Sequence, residues 1–328
     1  MGASSQVPDL SAHPSKDEKP KWASEGLERV FPREGTLPPS PEVELKMTWR
    51  TLAVPTAVEA ILKYLVLAVA GAWMLLPFFW MFSASLMTSQ EIARRPPPLL
   101  PASPQWYNYA DVAQVVPLGR AYFNSLLVTT VTVAGILFTS SLCGFAFAKY
   151  EFPGRNILFL LVLATMMIPF FVTLIPVFYI VKQLGWLNNY AGLIFPGIVS
   201  AYGIFLMRQF ILDIPDELVD AARIDGASEF RIYWQIILPL AGPALATLGS
   251  FNFVGVWNAF LWPLLVVQSR DLFTVPLALN SLRVYGAGAE SFNLQMAGTA
   301  LSVIPALVVF VSLQRYFVRG IALTGLKG

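Results

Sequence analysis

Residues 214–239 read Ile214-Pro215-Asp216-Glu217-Leu218-Val219-Asp220-Ala221-Ala222-Arg223-Ile224-Asp225-Gly226-Ala227-Ser228, then Glu229-Phe230-Arg231-Ile232-Tyr233-Trp234-Gln235, then Ile236-Ile237-Leu238-Pro239. Pro215 suits the first turn of a helix, where its missing N–H costs nothing. Asp216, Glu217 and Asp220 fall near the N-terminus of that helix, where negative charge is favoured. Gly226 accepts the left-handed conformation that ends a helix, and Ser228 is of the type that caps the next one. The stretch therefore predicts a short helix, a sharp turn and a second helix running into an apolar segment. Ala221 and Ala222 are small, so another protein's surface can approach this backbone closely. Asp220 and Arg223 lie one turn apart and place opposite charges around that patch.

What surrounds the segment sets the fold class. Of the 328 residues, 56% are hydrophobic and only 13% are charged, against about a quarter charged in an ordinary soluble domain. Mean hydropathy is +0.61. A membrane helix needs about 20 largely apolar residues. Six stretches free of Asp, Glu, Lys and Arg meet that need: Tyr64–Leu86, Ala121–Ala148, Asn156–Val181, Gln183–Met207, Ile232–Ser269 and Ser291–Gln314. The fifth exceeds one span and is expected to include helix or loop outside the hydrocarbon. The expected fold is all-α and integral to the membrane, with six transmembrane helices.

Basic residues orient the spans, because cytoplasmic flanks are enriched in Lys and Arg. With the N-terminus inside, the inner loops carry Lys149, Arg155, Arg208, Arg223 and Arg231, and the C-terminal end carries Arg315, Arg319 and Lys327. The outer set is then Arg94, Arg95, Arg120, Lys182, Arg270 and Arg283. Both termini are expected to be cytoplasmic, with the quoted segment on that side. Residues 1–60 form a separate polar tail, and 61–328 the membrane domain. Met1–Pro41 is too polar to offset its ordering entropy, and Glu42–Lys63 suits a helix lying on the inner membrane face. No apolar stretch near Met1 has the form of a cleavable signal, so the first span serves as the insertion signal. Outside, Thr88–Gly119 is expected to be one loop stiffened by Pro96-Pro97-Pro98, and Gly286 and Gly288 to lie in a mobile second loop.

Composition also excludes several functions. A formal net charge of +2 gives no basis for nucleic-acid binding. The only histidine, His13, sits in the tail and the only cysteine, Cys143, lies in an apolar run, so no metal site is expected. No carboxylate pair or Ser/His/Asp set offers catalysis. Gly320 to Lys327 approaches a Walker A spacing, but Leu326 stands where lysine is needed and no hydroxyl follows. The chain is not expected to be an enzyme or to hold nucleotide.

The 213–239 segment resembles the EAA motif of ABC importer permeases: Glu-Ala-Ala, three residues, Gly, nine residues, then Ile-x-Leu-Pro. Asp220-Ala221-Ala222 takes the first place, Gly226 the second, and Ile236, Leu238 and Pro239 the last, with Asp for Glu at 220 as the departure. The likeness covers about residues 60–328 and extends to Asn124-Ser125-Leu126, Phe152-Pro153-Gly154-Arg155, Met167-Ile168-Pro169, Leu174-Ile175-Pro176 and Gln314–Gly320. It is strongest to the carbohydrate-uptake, MalG-like permeases. That resemblance implies a type I importer permease fold in the bacterial cytoplasmic membrane. It implies a coupling helix docked on a separate ATPase through Asp220, Ala221, Ala222, Arg223, Asp225, Gly226, Leu238 and Pro239. The implied partners are a second homologous permease, two ATPase subunits that bind the ATP and magnesium, and an external solute-binding protein. Its docking would fall near Arg94–Asp111 and Arg270–Glu290.

Polar groups within apolar runs mark a solute path. Asn252, Asn258 and Gln295 qualify, and Trp257 and Tyr202 could stack on a sugar ring. The alternative for Trp257 and Trp262 is an interfacial belt, and for the polar groups helix-to-helix bonding. A second functional reading is an ion-coupled secondary transporter of a small polar solute. The absence of Asp, Glu, Lys, Arg and His from all six runs argues against proton coupling.

Overall fold

The structure, a computed structural model, describes residues 56–285 and 292–324. The expected tail, most of Glu42–Lys63, Gly286, Gly288, Glu290 and the last four residues lie outside that range. The chain divides into two units at Val69–Ala70. Of the first, residues 56–69 are described; they form the leading half of helix α1 (Thr56–Ser85), with Ile61, Leu62 and Tyr64 exposed.

In the second unit, two short helices, α2 (Ser89–Ala93) and α3 (Tyr107–Val115), follow the remainder of α1 and precede the long α4 (Leu118–Lys149). Then come α5 (Arg155–Met166), α6 (Phe170–Gln183), α7 (Tyr190–Ile194) and α8 (Ala201–Leu212). The quoted segment supplies α9 (Asp216–Ile224) and α10 (Glu229–Ile232), which runs through a π-turn at Tyr233–Ile237 into α11 (Leu238–Leu240). α12 (Gly242–Trp257), α13 (Leu261–Val266), α14 (Val275–Tyr285) and α15 (Phe292–Thr324) end the order. No strand occurs among the described residues.

Among the described residues, three single helices are long and apolar enough to cross a membrane: Val58–Ser85, Leu118–Lys149 and Phe292–Ser312. The other three apolar runs are broken. α5 and α6 meet at 100°, the α7 turn and α8 at 43°, and Glu229–Leu240 and α12 at 77°. A proline lies at or near each break. Pro169 caps α6 in extended geometry and denies helix to the residue before it. Pro196 tightens a short 3₁₀ turn after α7. Pro239 and Pro243 bracket Ala241, where α11 gives way to α12. Run length alone does not register these bends, because proline is uncharged and does not interrupt a run.

The Thr88–Gly119 segment differs from the expected loop. It contains α2 and α3, and a capping box starts α2: Thr88 Oγ1 accepts from Glu91 N–H while the Glu91 carboxylate accepts from Thr88 N–H at 2.8 Å. The second Glu91 oxygen accepts from Ala102 N–H at 2.9 Å, which ties the proline-rich stretch back to α2. These two backbone donors, Thr88 first, hold the Glu91 carboxyl below its ordinary 4.5, against the opposing effect of burial. A depressed carboxylate pKa stabilises above the unfolded value, and that stabilisation is lost as pH falls through the folded value. The segment is therefore expected to loosen only in acid, below about pH 4.5. The Glu91→Gln variant should lose about 2 kcal/mol of local stability at neutral pH, read as faster tryptic cleavage after Arg94.

α4 is the hub. Near Leu118, Asn124 Nδ2 donates to the Asp271 and Phe273 carbonyls at 2.7 and 2.9 Å, and its Oδ1 accepts from Tyr190 at 2.6 Å. Ser125 Oγ accepts from Val275 N–H at 2.8 Å. At the Lys149 end, α4 meets α8, α9 and the start of α10. Between those ends it packs closely on Ile198 through Gly135 and on α8 through Ser140 and Gly144, where small residues let two backbones approach.

Candidate functional site

The 214–239 segment folds as its residue types dictate, with one shift. Pro215 is extended (φ −56°, ψ 134°) and precedes the helix as its cap, one position before the first turn. Asp216 and Glu217 occupy that first turn. The C-terminus of α9 is a complete Schellman turn. Ala227 N–H donates to the Ala222 carbonyl at 2.9 Å, and Gly226 N–H to the Arg223 carbonyl at 3.0 Å. Gly226 supplies the required φ of +77°, and Asp225 is the exposed cap before it. Ser228 then caps α10 by accepting from Arg231 N–H.

The two faces of α9 differ. Val219 is 1% exposed and packs with Ala222 into a core that includes Met207, Ile211, Ile232, Tyr233 and Leu248. The opposite face carries Leu218, Ala221 and Ile224, spaced three residues apart, and Ile224 is 87% exposed. An exposed apolar strip on a helix with charged flanks has the form of a contact surface. Sequence reasoning concentrated on Asp220, Ala221, Ala222 and Gly226 and passed over Leu218 and Ile224. Their three-residue spacing with Ala221 was the available signal.

The helix is also tied at both ends. Lys149, whose side chain is 3% exposed, donates to Asp216 Oδ1 at 2.6 Å and to the Ile214 carbonyl. Arg223 Nε donates to Glu229 Oε1 at 2.9 Å, its Nη2 to Glu229 Oε2 at 3.4 Å, and its Nη1 to Asp220 Oδ1 at 3.2 Å. Tyr150 donates to Glu229 Oε2, and the Arg223 guanidinium lies 5.7 Å from the Tyr150 ring centre. Burial, then the neighbouring Glu229, pushes the Tyr150 phenol up to about 12, so its hydroxyl remains a donor at physiological pH. Beyond the turn, Leu238 is half-buried against the core and Pro239 is exposed. The eight residues expected to couple thus fall into two groups. Asp220 to Gly226 cluster on and after α9, whereas Leu238 and Pro239 sit past the π-turn. The π-turn itself carried no sequence signal.

The five residues named for a solute path differ in their surroundings. Trp257 is 1% exposed; its ring stacks on Phe253 at 5.9 Å, and its Nε1 donates to the Ser302 carbonyl at 3.0 Å. It therefore packs α12 on α15 in this conformation and offers no free ring face. Asn252 turns its amide to the Leu248 carbonyl of its own helix at 2.8 Å. Asn258 is exposed at the end of α12, and Gln295 is half-buried in α15. Tyr202 is 44% exposed on α8. Trp262 bonds the Gly192 carbonyl at 2.9 Å, which makes it a helix-to-helix tie. No cluster of His, Cys, Asp and Glu suited to a metal ion occurs among the described residues.

The described residues thus form a largely apolar helical body that presents one braced, exposed amphipathic helix. The chain belongs to the binding-protein-dependent transport system inner membrane component family, whose model matches residues 136–323. It is 38% identical over 256 residues to the arabinooligosaccharides transport system permease protein AraQ of Halalkalibacterium halodurans, covering 77% of this chain and 91% of that one. It is 35% identical over 267 residues to the sn-glycerol-3-phosphate transport system permease protein UgpE of Pectobacterium atrosepticum, covering 80% and 95%. Its fold matches a chain of a bacterial ABC transporter involved in the import of the acidic polysaccharide alginate, with a TM-score of 0.71, 25% identity, and coverage of 80% and 97%. The chain is accordingly a permease subunit of an ATP-binding-cassette importer and not itself an enzyme.

Proposed function

We propose that this permease carries a saccharide or a related polyhydroxylated solute inward across the cytoplasmic membrane, driven by ATPase subunits docked on α9. The observation that carries the reading is the exposed Leu218–Ala221–Ile224 strip on a helix closed by the Gly226 turn. Relatives named for arabinooligosaccharide and glycerol-3-phosphate transport, and the fold shared with an alginate importer, support the solute class. We assign six spans, three of them broken at or near a proline, with the Lys149 end and both termini cytoplasmic. The working assembly holds this chain, a second homologous permease, two ATPase subunits and an external binding protein. ATP-bound ATPase favours one permease conformation over the other, and that difference in affinity drives the switch. The nucleotide and its magnesium belong to the ATPase.

The test is uptake by the complete complex in sealed vesicles supplied with its binding protein and a labelled oligosaccharide. Accumulation is expected only with ATP on the ATPase side. Accumulation driven by a proton or sodium gradient without ATP would overturn the reading in favour of an ion-coupled transporter.

A further inference from the structure

We propose that Lys149, Tyr150, Arg223 and Glu229 form a two-point clamp that hands movement of α9 to the end of α4. Arg223 and Glu229 thereby act as positioning residues that face the permease itself. The inference rests on α9 being the coupling helix.

A lever is useful only if it does not bend at its own joint. The joint here is the turn at Gly226. A side chain built at that glycine would meet nothing within 4 Å, so the glycine's own side of the turn is open, while Ala222 and Ala227 on either side pack on the core. Its two Schellman bonds reach only from Ala222 to Ala227. The Arg223 guanidinium bridges the same turn from α9 to Glu229 at the head of α10 with two donors, and its third contact, to Asp220, fixes its plane on its own helix. Tyr150 completes the bracket from a third element. It is the cap residue of α4, donates to the same Glu229 carboxylate, and sets its ring beside the guanidinium.

The other attachment lies one residue earlier. Lys149 holds Asp216 and the Ile214 carbonyl at the opposite end of α9. Lys149 and the cap residue Tyr150 thus meet the two ends of α9, Tyr150 through Arg223 beside its ring. From Tyr150 the contacts continue into the bundle. Its ring meets Phe145 edge-on at 5.3 Å, Phe145 lies 5.8 Å from Tyr233, and Tyr233 shares a 2.7 Å hydrogen bond with Ser141 of α4. Single exposed ion pairs contribute little stability, and the Arg223 and Glu229 side chains are 37% and 48% exposed. Three elements meeting on one carboxylate fix geometry instead, and a docked protein that excluded water would strengthen every contact.

The experiment uses the assembled complex with Glu229→Gln, Tyr150→Phe and the double variant. Three quantities are read: ATPase co-purification, ATP hydrolysis and solute imported per ATP. The ATPase should remain bound, because the Leu218–Ala221–Ile224 face is untouched. Import per ATP should fall about fivefold in Glu229→Gln, the lower end of typical coupling. The double variant should be no worse than Glu229→Gln, since the two residues act through one bond. An unchanged import ratio overturns the clamp, as do additive losses. Loss of ATPase in proportion to transport overturns it too, because the residues would then be docking contacts. A wild-type complex without ATP-driven uptake would instead sink the function proposed above, so the two failures are distinguishable.

Discussion

The Gly144→Leu variant is expected not to assemble in the membrane, whereas Gly249→Ala is expected to melt no lower than wild type. Both glycines lie inside helices, so the contrast comes from what a side chain would meet. At Gly144 a Cβ would fall 2.7 Å from Met207 Cβ and 2.9 Å from the Arg208 backbone nitrogen. Backbone on a packed helix has nowhere to go, so α4 and α8 must separate. Separation would also pull Ser140 from Gly203, where a Cβ would lie 2.2 Å from Ser140 Oγ. It would break the Thr139 hydrogen bond to the Ile198 carbonyl as well. Overpacking of this kind costs about 3 kcal/mol or more. At Gly249 the nearest atom to a new Cβ is Leu137 Cδ1 at 3.5 Å, an ordinary contact. Alanine there removes glycine's backbone entropy cost and should gain up to about 1 kcal/mol. Yield in the membrane fraction reads Gly144→Leu and thermal unfolding of detergent-purified protein reads Gly249→Ala; wild-type yield of Gly144→Leu would contradict the described approach of α4 and α8.

The second large effect is at Gly226. Gly226→Val is expected to leave the protein folded and to reduce ATP-driven uptake at least tenfold. The space around Gly226 is open, so no clash confuses the result. The penalty is conformational: φ is +77°, and a β-branched residue pays at least the roughly 1–2 kcal/mol that the left-handed region costs ordinary residues. Valine would reopen the Schellman turn and let α9 swing away from α10. Asn tolerates that region far better, so Gly226→Asn should keep most of the uptake. Equal uptake by Gly226→Val and wild type would remove the turn from the transport cycle.

The 214–239 segment was legible because its signals are local. Gly226 ends a helix and Ser228 starts one for reasons contained in a few residues, and the structure forms both. The six apolar runs were legible by length. Their bends were not, because Pro169, Pro196 and Pro239 are uncharged and leave each run unbroken. Thr88-Ser89-Gln90-Glu91 carries a readable capping signature, yet the three prolines that follow give the segment the look of a loop. The clamp was illegible for a different reason. Tyr150 and Glu229 are 79 residues apart, and nothing in either neighbourhood announces the other. Trp257 shows the same limit. A tryptophan in an apolar run reads equally as sugar platform or core, and only the Ser302 carbonyl, 45 residues on, marks it as core in this conformation.

The account depends most on α9 being the face that a separate ATPase holds. A cysteine in place of Ala221, in a background with Cys143 replaced by serine, tests this directly. In inside-out vesicles containing the whole complex, a short bifunctional reagent should join Ala221→Cys to the ATPase subunit, with a yield that changes when ATP is added. Labelling of that cysteine only from the external side, or crosslinks that never include the ATPase, would contradict the account.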